Sequence, residues 1–251
     1  MTTSVVAPPR GAARSWWRRL HVGSALAGVV VLTLGNIVVG PDPVFLGFAV
    51  LWLGAIVLTR RRARLGTVIT TVLALVAALF GSGEGVYIAS HPIAFYGGEG
   101  ALFTLLTLAG ATTVIAALGL LLERRAAWLR SRAVPAAVAG IAVAAVIAAT
   151  VAGARARSGL TDVQVSAGDL RLDAKDTKYS TGSMTATGQV TIFITNSDPS
   201  YHTFTIDGVV DEQLTPHSSH RVTLTLAPGK YRYYCTVPGH ADDMNGALVV
   251  H

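Results

Sequence analysis

The 251-residue sequence predicts an α-helical membrane bundle of about five spans followed by a small all-β Greek-key sandwich. Three observations carry this expectation. Long apolar segments fill the chain up to about residue 153. After Gly159 they give way to short alternating runs set between turn residues. The charge changes sign at the same point: residues 1–159 hold 14 arginines, no lysine and four acidic residues, a net +10, whereas residues 160–251 net −4. The division expected is a basic cytosolic tail over 1–21, a five-span region over 22–153, a linker over 154–159 and a β domain over 160–251. The high pI of about 9.8 does not indicate nucleic acid, because the basic residues flank apolar segments, where they orient a membrane protein.

The spans are expected at about 22–40, 44–59, 65–80, 101–122 and 134–153. A helix needs roughly 20 apolar residues to cross the hydrocarbon, so the second and third are short as drawn and draw on their flanks. Gly-Pro-Asp-Pro alone separates the first two, which predicts a tight helical hairpin. The first span lacks a small-x-small cleavage site after Asn36-Ile-Val-Val-Gly40 and reads as retained. Arg10, Arg14, Arg18 and Arg19 precede the first span, Arg60, Arg61, Arg62 and Arg64 follow the second, and Arg124, Arg125, Arg130 and Arg132 follow the fourth. With five spans, twelve of the fourteen arginines fall on one side, and only Arg155 and Arg157 on the other. The positive-inside rule then predicts a multi-pass protein of the cell membrane with a cytoplasmic N-terminus and an extracytoplasmic β domain. The outer segment 81–100, with Glu84, Tyr87, His91, Tyr96 and Glu99, reads as a solvated glycine-rich loop with an interfacial stretch, in preference to a second metal or partner site. The spans as drawn hold no histidine and no acidic residue, so the bundle reads as an anchor or docking scaffold in the lipid bilayer, without haem ligands.

In the β region, Val163–Val165, Leu170–Leu172, Val190–Ile194, His202–Ile206, Val222–Leu226, Tyr231–Cys235 and Leu248–Val250 are the expected strands. Residues 174–188 carry little pattern. His217 and His220 sit in the turn-like Thr215-Pro-His-Ser-Ser-His220 and read as exposed loop residues, and His251 as a disordered end.

The strongest local signal is Cys235-Thr-Val-Pro-Gly-His240-Ala-Asp-Asp-Met244, between two strands. One thiolate and two imidazoles in a plane, with a weak thioether above it, is the donor set of a type 1 (blue) copper site. The soft thiolate suits Cu(I) and the imidazoles also suit Cu(II), so electron transfer demands little rearrangement. The loop supplies three donors, and His202, at the start of a strand, is the natural second imidazole. Cys235 is the only cysteine, so no disulfide forms within the chain.

Together with Gly188-Gln-Val-Thr-Ile-Phe-Ile-Thr-Asn196, His202-Thr-Phe-Thr-Ile206 and Pro228-Gly-Lys-Tyr231, this loop resembles the plastocyanin/azurin family of cupredoxins over residues 160–251. The resemblance implies one copper ion with His202, Cys235 and His240 as equatorial ligands and Met244 as the axial one. Azurin-like members can add a backbone carbonyl, here that of Tyr201. The family often has Asn after the first ligand histidine, where this chain has Thr203. The family pattern also places His240 near the surface in an apolar patch of Val237, Pro238, Gly239 and Ala241. Asp242 and Asp243 beside it either steer a redox partner with a basic docking patch or only solvate the loop. The function implied is a non-catalytic carrier of single electrons. The alternatives are copper delivery or storage, and a copper subunit of a larger membrane redox complex. One cysteine excludes a binuclear copper-A centre, and the lack of His-x-His pairs excludes a trinuclear cluster.

Overall fold

The computed structural model describes residues 12–38, 40–96, 98–123, 125–158, 163–198 and 200–251. Arg10, Arg124 and most of the expected tail lie outside the described residues, as do the side chains of Arg14, Glu84, Tyr96 and Glu99. Among the described residues the chain forms five α-helices and nine strands. It divides into two compact units. The helical unit takes in the first helix up to Ile37, residues 41–81 and residues 105–147. The second takes in residues 38–40, 82–104 and 148–251.

The helices are α1 (Ala12–Val38), α2 (Pro43–Arg61), α3 (Ala63–Ser90), α4 (Gly98–Leu122) and α5 (Ala133–Ser158). All five contain stretches long and apolar enough to cross a membrane. The tight connection between α1 and α2 works through Asp42, whose carboxylate accepts the amides of Val44 and Phe45 at 2.7 and 3.3 Å, with Pro43 opening the helix where its missing N–H costs nothing. Asn36 Oδ1 accepts the Asp42 amide at 2.8 Å. The buried Trp52 ring lies against Gly28, where a Cβ would collide with it. Trp17 lies against Gly119 in the same way and donates its indole N–H to the Leu129 carbonyl at 2.7 Å.

Three boundary expectations change. The first crossing stretch runs over Trp16–Val38 and so includes His21, because Trp16, Trp17 and Leu20 extend its apolar face. His21 is buried, with Nε2 3.2 Å from Thr71 Oγ1, so the spans do hold a histidine. α5 continues through Ser158, which makes residues 154–158 helical. The expected loop 81–100 is mostly helical: α3 extends to Ser90, a 3₁₀ turn covers Pro92–Tyr96, and α4 starts at Gly98. Ile88 and Ala94 from this stretch are buried in the core of the β unit, so it is no solvated loop.

The strands are β1 (Leu170–Lys175), β2 (Lys178–Tyr179), β3 (Ser183–Ala186), β4 (Gln189–Asn196), β5 (His202–Ile206), β6 (Val210–Leu214), β7 (Ser218–Thr225), β8 (Gly229–Tyr234) and β9 (Asn245–Val250). One sheet has the order β2-β1-β4-β7 and the other β3-β9-β8-β5-β6. β1 runs parallel to β4 and β3 parallel to β9, while the remaining pairs are antiparallel. Alternation directs the core. Val190, Ile192 and Ile194 of β4 and Val222 and Leu224 of β7 point inward and meet Leu172, Phe204, Tyr233 and Leu248. Gly246 is required where it stands, since a Cβ there would strike the Tyr233 ring. Val163–Val165 is not a strand, and β6, an edge strand rich in acidic and polar residues, was not expected. His251 is exposed, and its amide donates to the Ala186 carbonyl at 3.0 Å.

Candidate metal centre

Three donors converge at one end of the sandwich. His202 opens β5, Cys235 follows β8, and His240 lies on the turn before β9, so every donor hangs from the five-stranded sheet. Their candidate donor atoms lie within 4.8 Å of one another, and all three residues are buried. The two Nδ1 atoms are 3.2 Å apart, and Cys235 Sγ is 3.8 Å from His240 Nδ1. Bonds of about 2.0 Å to nitrogen and about 2.3 Å to sulfur, the lengths found in zinc sites, allow one ion to reach all three from inside that triangle.

The loop between Cys235 and Met244 is wound by its own backbone. The His240 amide donates to Val237 O at 3.0 Å, the Met244 amide to His240 O at 2.8 Å, and the Cys235 amide to Met244 O at 3.0 Å. Gly239, at φ +84°, supplies the left-handed residue that this winding needs. Met244 is fully buried and tied by its backbone to both neighbouring donors. His240 is only 8% exposed and Val237 is buried, while Pro238 and Gly239 are exposed. Asp242 and Asp243 are exposed.

The surroundings prepare the donors for a cation. Asp198 Oδ2 lies 2.8 Å from His202 Nε2. A carboxylate there accepts an Nε2 proton, so that with Nδ1 deprotonated, as metal binding requires, the ring would turn its Nδ1 lone pair toward the other donors. Asp198 is itself fixed, since its oxygens accept the amides of Asp176 and Thr177 at 2.7 and 3.0 Å. Burial works to raise its pKa, but those two amides and His202 outweigh it and hold the carboxyl below its usual range. Both Asp176 and Thr177 have positive φ, so a tight β1–β2 hairpin turn presents its amides to this carboxylate. Asn196 shapes the 196–202 connection. Its amide group donates to Ser200 O and Leu214 O at 2.8 and 3.0 Å, and its Oδ1 accepts the Asp198 amide at 3.0 Å.

Thr203 takes the clamping position after His202. Its amide donates to Cys235 Sγ at 3.4 Å, and its hydroxyl accepts the Thr236 amide at 2.8 Å. Burial pushes the Cys235 thiol up, but hydrogen bonds from His202, His240 and the Thr203 and Val237 amides prevail and bring its pKa down to about 6. The thiolate, which is the metal-binding form, is thereby favoured. The donor set, its burial and its hydrogen bonding fit a type 1 copper ion.

The other histidines are not drawn into this group. His220 was expected on an exposed loop, but it is buried on β7 in the same inward row as Val222 and Leu224. Its Nδ1 is 2.8 Å from Glu212 Oε1 on β6 and its Nε2 is 2.8 Å from Ser218 Oγ, so it joins the two sheets. His217 is exposed, at φ +52°. Sequence reasoning missed Asp198 as the partner of His202, although a carboxylate four residues before a candidate ligand histidine was a visible signal.

A two-sheet β-sandwich with one buried thiolate and two buried imidazoles at a single point defines a mononuclear metal-binding domain. Residues 140–250 match the sequence model of the family described as a cupredoxin-like domain, a match that reaches back into α5. The C-terminal part of the chain is a cupredoxin-like domain preceded by five apolar helices. A search of curated proteins gave no match. Among solved structures the chain is similar to auracyanin A, a blue copper protein from Chloroflexus aurantiacus, with 22% identity, 33% of this chain and 98% of that chain covered, and a TM-score of 0.30. It is similar also to an amicyanin variant in the Cu(I) form, with 21% identity over 35% of this chain and 87% of that one and a TM-score of 0.31. An oxidized amicyanin variant aligns at 20% identity over 37% and 90%, with a TM-score of 0.32.

Proposed function

We propose that this protein is a membrane-anchored type 1 copper protein that carries single electrons on the outer face of the membrane. The observation that carries the reading is the buried convergence of His202, Cys235 and His240. In it, those three residues and Met244 would hold the ion. Bound copper would supply the reversible one-electron couple. The chain keeps the donors in one arrangement through Asp198 and Thr203 and shields them from water. Burial of all three donors favours a retained carrier centre over copper delivery, since exchange needs access.

The anchoring proposed is a basic tail ahead of Trp16, five spans within Trp16–Ala156 and a cupredoxin domain over about 160–251. The arginine clusters support a cytoplasmic N-terminus. Residues 82–104 and 148–251 share one compact unit. That sharing supports five crossings, which put the turn after the third span and the region after the fifth on one side. The exposed Asp242 and Asp243, beside His240, would steer a redox partner bearing a basic patch.

The test is to add Cu(II) to the purified full-length protein and record its visible spectrum beside a Cys235→Ser variant. An intense thiolate-to-copper band that the variant lacks is expected. A colourless wild-type protein overturns the reading.

A further inference from the structure

Tyr87 lies on the helical extension after the third apolar stretch, far in sequence from every donor. α3 has 28 residues, about 42 Å of helix, whereas about 20 residues cross the hydrocarbon. The surplus, from Ser82 onward, belongs to the β unit. Tyr87 Oη lies 3.3 Å from Thr236 Oγ1, on the residue directly after Cys235. Thr236 Oγ1 in turn lies 3.0 Å from Thr203 Oγ1, on the residue directly after His202. The Tyr87 ring meets Tyr201, the residue before His202, edge-on at 6.2 Å between centroids, and stacks on His91 at 4.3 Å. Ile88 and Ala94 of the same segment are buried in the core that holds Cys235 and Val237. Thr203 and Thr205 alternate with His202, Phe204 and Ile206 and so face the opposite side of β5, yet both are buried.

We propose that Tyr87 is a positioning residue for the donor loop: its hydroxyl holds Thr236, and through Thr236 and Thr203 the segment leaving the third apolar helix fixes the Cys235 side of the metal centre. The reason is steric and directional. Thr203 meets both the amide and the hydroxyl of Thr236 from β5, and a second group on that hydroxyl ties the pair to a segment outside the two sheets. Tyr87 is that group, and its stacking on His91 and packing against Tyr201 fix its ring. The inference deepens the metal-site reading, and its first readout is independent of that reading.

The experiment uses full-length, detergent-solubilised, metal-free protein. Cys235 is the only thiol and is buried, so its alkylation by iodoacetamide reports opening of this loop. Tyr87→Phe keeps the ring and removes one hydrogen bond, and alkylation is expected about fivefold faster. In a Thr236→Val background the same substitution should change the rate little, because the pair is already broken. His91→Ala, which removes the stacking but no contact to Thr236, should accelerate alkylation by a smaller factor. The second readout is the copper-loaded protein, where Tyr87→Phe should shift the thiolate-to-copper band and the reduction potential. Wild-type alkylation rates in Tyr87→Phe, or strictly additive effects of Tyr87→Phe and Thr236→Val, overturn the proposal even if the copper band is present. Accelerated, non-additive alkylation in a protein that shows no copper band supports the positioning role and refutes the copper reading instead.

Discussion

The hydroxyl of Thr203 accepts the amide of Thr236 at 2.8 Å, and the amide of Thr203 itself points at Cys235 Sγ at 3.4 Å. One residue thus holds the sulfur and the backbone beyond it. Replacing Thr203 with valine keeps the shape but leaves the part-buried Thr236 amide without its acceptor, which costs about 1–3 kcal/mol. Urea unfolding of the metal-free protein should show that loss, and Thr203→Ser should restore most of it. Equal stability of the valine variant and the wild type would remove Thr203 from this role.

Asp198 is expected to control metal retention. Asp198→Asn keeps one carbonyl acceptor where the carboxylate offers two, Oδ1 to the Asp176 amide and Oδ2 to the Thr177 amide, and it loses the charge beside His202 Nε2. Loss of a group that orients a ligating histidine lowers metal affinity about 10–100-fold. Competition with a copper chelator measures it, and an unchanged affinity would show that His202 is oriented by its burial alone.

The metal-free protein should carry a pH signature of the thiol. Folded Cys235 ionises at about 6 against an ordinary value of 9.0. The folded state is therefore favoured by the thiolate, fully so above pH 9, decreasingly as pH falls, and not at all below about 6. Thiolate absorbance in the ultraviolet should titrate with a midpoint near 6, and Cys235→Ser should flatten the rise in stability between pH 6 and 9. A midpoint near 9 would contradict the hydrogen-bond pattern around the sulfur.

His220 should matter to folding and leave the centre alone. It bridges Glu212 on one sheet and Ser218 on the other, at 2.8 Å to each. His220→Ala removes two part-buried hydrogen bonds and is expected to cost about 1–3 kcal/mol on thermal or urea unfolding, with no change in the copper band. A displaced band would mean that strain at β7 reaches the donors.

The sequence made some of this architecture legible and hid the rest for identifiable reasons. Cys235, His240 and Met244 sit on one short loop, so their spacing alone displays three candidate donors, and His202 stands at the start of a well-patterned strand. The supports are a different matter. Thr203 meets Thr236, Asp198 meets Asp176 and Thr177, and Tyr87 meets Thr236 only because the fold brings distant segments together. The inward row of His220, Val222 and Leu224 alternates visibly, but the preceding Thr-Pro-His-Ser-Ser run looks like a loop. β2, β3 and β6 are short or polar edge strands whose place depends on their neighbours, and no alternation could show that β1 pairs parallel with β4. The helical extension from Ser82 was masked by glycines that read as a loop.

The left-handed pair Asp176 and Thr177 acquires a use from its position. Each amide is one carboxylate removed from His202, and neither residue is itself a donor. A change of charge at the centre therefore alters the polarisation of two backbone protons on a hairpin tip, where nuclear magnetic resonance can read their chemical shifts. The turn serves as a gauge wired to the interior: metal loading, oxidation state and loss of Asp198 would each move the same pair of signals by a distinct amount.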